Sequence, residues 1–132
     1  MKNAILSIFT VIFLASTCLA GSLSVCGPSG EVKRSYVVIA DSWNDTLAVE
    51  TKNNTVWLDL VQMYIAKNRR FVCGIVERYN NKWGFRLRPD TVFVTDVTAE
   101  ALQTYMKYVK GHLSYWLNNT ACFSSHVVKV YC

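Results

Sequence analysis

The chain has 132 residues, 52% of them hydrophobic, and 14 Lys and Arg stand against 9 Asp and Glu for a formal charge of +5. That length holds one domain, and the apolar fraction excludes a disordered chain. The positive balance is modest and comes with no nucleic-acid-binding motif, so no nucleic-acid partner is expected.

In chain order, Lys2 precedes an almost unbroken apolar run from Ala4 to Ala15, and Cys18-Leu19-Ala20 has the small-x-small character of a signal-peptidase site. Residues 1–20 therefore read as a signal peptide cut after Ala20, too short for a membrane span, with residues 21–132 as a single mature domain. No later segment is apolar enough to span a bilayer, which predicts a secreted, extracellular protein without a transmembrane segment. Gly21 to Gly30 reads as an irregular lead-in.

Ser35 to Asp41 is dense in β-branched residues and reads as a strand. Trp43-Asn44-Asp45 makes a turn into a second strand, Thr46 to Thr51. After a loop at Lys52-Asn53-Asn54, Thr55 is placed to cap a helix over Val56 to Asn68. Trp57, Leu60, Val61, Tyr64 and Ile65 form its core stripe. Lys67, Arg69 and Arg70 fall where they complement the helix dipole. Phe71 to Tyr79 and Lys82 to Arg88 read as a hairpin about Asn80-Asn81, and Pro89-Asp90 turns into a further strand, Thr91 to Asp96. A helix is expected from Thr98 to Val109, a helical turn over His112 to Leu117, and a last strand over Ser125 to Tyr131. The predicted fold is α+β, a mostly antiparallel sheet with one main amphipathic helix packed on one face and stapled by disulfides.

Removal of Cys18 with the signal leaves Cys26, Cys73, Cys122 and Cys132, an even number that predicts two disulfides among three possible connectivities. Cys26 with Cys132 and Cys73 with Cys122 is the preferred pairing, since the first ties the chain ends together. Three Asn-x-Thr triplets, at Asn44, Asn53 and Asn118, fall in predicted turns and mark glycosylation sites.

Alternation along the strand puts Trp83, Phe85 and Leu87 on one face and Arg86 and Arg88 on the other. With Trp57, the first three are expected in the core. Arg78, on the hairpin partner strand, is expected beside Arg86 and Arg88. These three arginines are the candidate ligand-binding patch for an anionic glycan, a lipid headgroup or an acidic protein surface. The two histidines, His112 and His126, lie in no triad or metal-spaced pattern. No catalytic residue, metal or cofactor is expected.

Three segments carry a resemblance. They are Arg70-Phe71-Val72-Cys73-Gly74-Ile75-Val76, Asn81 to Val92 with Trp83-Gly84-Phe85-Arg86-Leu87-Arg88-Pro89-Asp90, and His112-Leu113-Ser114-Tyr115-Trp116-Leu117 followed by Cys122 and Val127-Val128-Lys129-Val130. Together they resemble the BP-seventy-four N-terminal domain family of small secreted or extracellular modules, over most of Tyr36 to Val130. Arg86 stands where that family has His, Arg88 where it has Asp, Leu102-Gln103 where it has a Cys-Asp pair, and Phe123-Ser124-Ser125 where a Pro-Trp run follows the cysteine. The groups suited to metal or acid/base work are thereby lost, and Cys122 needs another partner among Cys26, Cys73 and Cys132. The resemblance implies a fold, export and a binding-type role but no reaction. The expected function is a secreted, non-enzymatic binding module that recognises an anionic partner through a basic sheet face. The alternatives are a protease inhibitor, presenting the Arg86-Leu87-Arg88-Pro89 turn, and an antimicrobial or toxin-like effector.

Overall fold

The computed structural model describes residues 35–131. The segment read as a signal peptide, the lead-in, Cys26 and Cys132 lie outside the described residues.

Strand β1 (Tyr36–Asp41) turns at Trp43-Asn44-Asp45 into β2 (Thr46–Val49), as the pattern predicts. Helix α1 (Asn54–Ala66) leads into β3 (Arg70–Arg78), which hairpins into the short β4 (Phe85–Leu87). A 3-10 turn at Pro89–Thr91 precedes β5 (Phe93–Thr95), and a second at Glu100–Leu102 leads to α2 (Met106–Gly111) and α3 (Leu113–Trp116). Strand β6 (Thr120–Tyr131) closes the chain. All ladders are antiparallel, in the order β2-β1-β6-β3-β4, and β5 also pairs with β3. The two ends of that order, β2 and β4, touch, so the sheet curls almost into a barrel. Closure of this kind removes most of the exposed edge that an open sheet would leave.

The outer edge of β3 is shared. β5 pairs with Phe71, Val72 and Cys73, and β4 with Val76, Glu77 and Arg78. Thr91 fills the gap between them. Its Oγ1 accepts the Ile75 N–H at 2.9 Å and donates to the Arg88 carbonyl at 2.7 Å. Gly74 makes room for this crossing, because a Cβ there would meet Leu87 Cβ at 3.0 Å. Pro89, which cannot donate to a ladder, sits in the turn, as expected.

The core runs from Val37, Ile39, Leu47 and Val49 through Leu60, Val61 and Met63 to Val72, Val76, Phe85, Leu87, Val109 and Phe123. Cys73 and Cys122 are directly opposed on β3 and β6, with Cα atoms 4.1 Å apart, and form the disulfide that the preferred pairing named.

Several expectations are corrected. Asn53, not Thr55, caps α1, its Oδ1 accepting the N–H groups of Thr55 and Val56. The amphipathic helix is not the clean one predicted. Trp57, Leu60 and Val61 are buried as expected, but Met63 joins them while Leu58, Tyr64 and Ile65 are exposed. Tyr64 and Ile65 line an open groove with His126, Val127 and Val128 of β6, so spacing alone overstates burial there. Lys67 takes the left-handed C-cap position, while Arg69 donates to the Ser124 carbonyl and Arg70 pairs with Asp96, so neither arginine serves the dipole. The helix expected over Thr98 to Val109 begins only at Met106. Before it, Gln103 forms an isolated bridge with Cys122, and the Thr104 N–H bonds the Cys122 carbonyl, an extended pairing that local propensity does not encode. β6 starts at Thr120, five residues earlier than Ser125.

Trp83 is half-buried and precedes β4 rather than belonging to it. Gly84, at φ 82°, breaks the two-residue period there, a backbone conformation that glycine tolerates best. Trp57, Phe85 and Leu87 are in the core as predicted.

Candidate functional site

Strand alternation does bring Arg86 and Arg88 to one face of β4, but the residue between them is an acid. The ladder sets Glu77 opposite Arg86 and Arg78 opposite Phe85, so Arg78 falls on the other face and does not complete the expected trio. Glu77 Oε2 accepts from Arg86 Nε at 2.6 Å, and its Oε1 from Arg88 Nε at 3.1 Å. Arg88 Nη2 also donates to Asn118 Oδ1 at 3.1 Å, and the Arg86 guanidinium lies 4.7 Å from the Tyr79 ring centre. The bond from Arg86 pulls the Glu77 carboxyl below its ordinary range; burial opposes this, and the bond and charge of Arg88 add to it. Burial pulls Arg86 down, but the Glu77 bond and the charges of Glu77 and Glu50 outweigh it, so the guanidinium is held still more firmly protonated. On this face one carboxylate offsets one of the two arginine charges, and the Nε donors of both arginines and Nη2 of Arg88 are already engaged. The Arg86-Leu87-Arg88-Pro89 segment is likewise no projecting inhibitor loop, since Leu87 is buried and the Arg88 N–H bonds the Ile75 carbonyl at 2.7 Å.

A different part of the molecule carries available charge. A cleft of about 570 Å3 opens between the β1–β2 turn, the β3–β4 turn and α2. Lys82 enters from the β3–β4 turn, and Lys107 and Lys110 from α2, one helical turn apart. Asp45 is the acid among its lining residues, so three lysines face one carboxylate. Among the described residues the ion pairs are Arg70–Asp96, Arg86–Glu77 and Arg88–Glu77, and no lysine takes part. The apolar part of the lining is Trp43, Trp83, Phe85 and Met106.

Two sides of the cleft, the β1–β2 turn and α2, are joined by one buried side chain, Asp41, at the end of β1. Its Oδ1 accepts the N–H groups of Trp43 at 3.0 Å and Asp45 at 3.2 Å, and its Oδ2 accepts the N–H of Met106, the first residue of α2, at 2.9 Å. Asp41 is only 1% exposed. A carboxylate at a helix N-terminus satisfies a donor that the helix leaves open and lies at the positive end of its dipole. Trp43 then lies flat on Tyr105, ring centres 3.8 Å apart and planes within 2°, with the Tyr108 ring edge-on at 5.2 Å. On the side formed by the β3–β4 turn, the Lys82 ammonium stands 4.9 Å from the Trp83 ring centre. Gly84 lets the stem of Lys110 pass close by, as a Cβ there would meet Lys110 Cε at 3.1 Å.

Sequence reasoning read Lys82 as the start of a hairpin strand and Trp43 only as a turn residue; it gave Lys107 and Lys110 no functional role. The signals were present in Lys107-x-x-Lys110 and in an Asp at the head of a turn, but neither says what faces it across the chain.

The other candidates are placed as follows. Asn44, Asn53 and Asn118 are all exposed and outside the strands; Asn44 and Asn118 have positive φ, and Asn53 is the α1 cap. His112 joins α2 to α3, its Nδ1 3.1 Å from the Tyr108 carbonyl, and His126 Nδ1 lies 3.2 Å from Arg69 Nη2. No cluster of three metal-ligating side chains occurs among the described residues, and no described helix is long and apolar enough to cross a membrane.

The model of the BP-seventy-four N-terminal domain family matches residues 33–130. No curated protein and no solved structure matches the chain.

Proposed function

The chain belongs to the BP-seventy-four N-terminal domain family, and from that premise we propose that it is a secreted, non-catalytic binding module that takes an anionic ligand in the cleft between α2 and the β3–β4 turn. The observation that carries this reading is the convergence of Lys82, Lys107 and Lys110, none of them ion-paired, on one concave site. Unpaired like charges raise the local potential and draw in an oppositely charged ligand. The charged side chains of the cleft are three ammonium groups and one carboxylate, a set that attracts an anion. Export is supported by the signal-like N-terminal pattern and by the Cys73–Cys122 disulfide, a bond at home in oxidising compartments.

The basic sheet face is the weaker candidate, because its two arginines already share Glu77. The test is retention on immobilised heparin at rising salt. Lys82→Ala/Lys107→Ala/Lys110→Ala should elute well before the parent with an unchanged melting temperature, and Arg86→Ala/Arg88→Ala should elute near it. Elution of the lysine variant with the parent overturns the assignment of the site.

A further inference from the structure

Resting on that reading, we infer that the ligand of the cleft is an acidic glycan, a chain of sugar rings bearing sulfate or carboxylate groups. The lysines by themselves would suit any anion. The added observation is that flat aromatic surface and cationic groups occupy the same walls. Trp43 is backed by Tyr105, which holds its indole in a fixed plane, yet it remains 45% exposed where it lines the cleft. On the β3–β4 side, Trp83 is half-buried with the Lys82 ammonium 4.9 Å from its ring centre. A sugar ring has the matching anatomy, an apolar C–H face bounded by a polar rim. Laid on the exposed Trp43 indole, it brings the anionic substituents of its rim into the cleft that the ammonium groups also line.

Shape and donor type narrow the choice. A cleft of about 570 Å3 lies within the usual range for ligand sites and accommodates a few ring units. Its lysines come from two elements, Lys82 from the β3–β4 turn and Lys107 and Lys110 from α2, with the Lys110 stem lying against Gly84 of that turn. A planar lipid surface meets only the rim of a concavity, whereas a strand of sugars can enter it. Lysine ammonium groups are compact charges on flexible stems, without the fixed fork of arginine. They adapt to sulfates and carboxylates at varied positions around successive rings. The fixed part of the site is aromatic, and the adaptable part is charged.

The experiment measures binding to the mature chain by calorimetry and tryptophan fluorescence near physiological salt. The probes are a heparin-derived hexasaccharide, polyvinyl sulfonate of similar charge, adenosine triphosphate, and vesicles of phosphatidylserine with phosphatidylcholine. The expected result is that the hexasaccharide binds tightest and shifts the tryptophan emission. Trp83→Ala and Trp43→Ala should each weaken it about tenfold, the scale of one aromatic contact, while Trp83→Phe retains most of the affinity. Polyvinyl sulfonate binding should fall with the lysine variant but not with the tryptophan variants. If polyvinyl sulfonate, the nucleotide or the vesicles bind as tightly as the hexasaccharide, or if the tryptophan variants bind it like the parent, the glycan assignment is overturned while the anion-binding cleft stands. If no polyanion binds, the cleft reading itself is overturned.

Discussion

Two cationic regions behave oppositely in the fold, although Lys82 of one lies only four residues before Arg86 of the other. Arg86 on β4 and Arg88 just after it share Glu77, which β3 supplies at the position opposite Arg86, so one of the two charges is offset as the hairpin forms. In the cleft, Lys82 comes from a turn and Lys107 and Lys110 from a short helix, elements joined by no ladder, and none of the three is ion-paired. Regular pairing puts a partner opposite each side chain, while junctions between elements leave charge unmatched. The density of arginine in a sequence is therefore a poor guide to where a protein offers charge to a ligand.

The largest effect that separates the two regions is expected at Asp41. Replacing it by alanine leaves the N–H groups of Trp43, Asp45 and Met106 without their acceptor, at about 1–3 kcal/mol for each that stays buried. Chemical denaturation should show a loss of about 3 kcal/mol or more, on that same scale, together with release of Trp43 from Tyr105 in the near-ultraviolet dichroism. An Arg86→Ala variant should leave that dichroic signal intact.

Glu77→Gln probes the other region. Its two ion pairs are partly exposed, so the stability lost should be at most about 1 kcal/mol. Two guanidinium groups are freed, and retention on immobilised heparin should rise, turning the quenched face into a second anion site. The pH dependence has a definite sign. Because the folded protein holds the Glu77 carboxyl below its ordinary value, the stabilisation is complete above the unfolded pKa of about 4.3 and is lost as pH falls through the lower folded value. Glu77→Gln should remove that part of the acid limb of the stability curve, measured by melts from neutral pH downward.

Gly84 probes the wall of the cleft itself. Alanine there adopts a left-handed conformation at φ 82° and presses on Lys110 Cε, at a cost of about 1 kcal/mol. The lysine stem can yield, so thermal stability should drop slightly while retention on heparin falls, sharpening the contrast with β4.

Much of this architecture is legible in local pattern. The β-branched run at Tyr36 to Asp41, the apolar alternation of Phe85 and Leu87, the proline turn at Pro89 and the resemblance to the BP-seventy-four N-terminal domain all correspond to what the fold contains. The structural features among these depend on chain geometry over a few residues, with a period of two in strands and a fixed φ at proline, so sequence by itself determines them. The placement of Glu77 rather than Arg78 beside Arg86 depends on hairpin register, which the Gly84 turn sets. The extended path of Gln103 and Thr104 depends on β6 lying alongside, and the exposure of Tyr64 and Ile65 on the groove left between the end of α1 and β6. The cleft is the furthest from local pattern. Asp41 joins a turn two to four residues away to a helix that begins 65 residues later, and that tertiary bond, with the stacking of Trp43 on Tyr105, brings Trp43 and Lys107 to one cleft. Backbone sterics act between neighbours and can be read from the chain, whereas the meeting of a buried carboxylate with a distant N–H exists only once the sheet has closed.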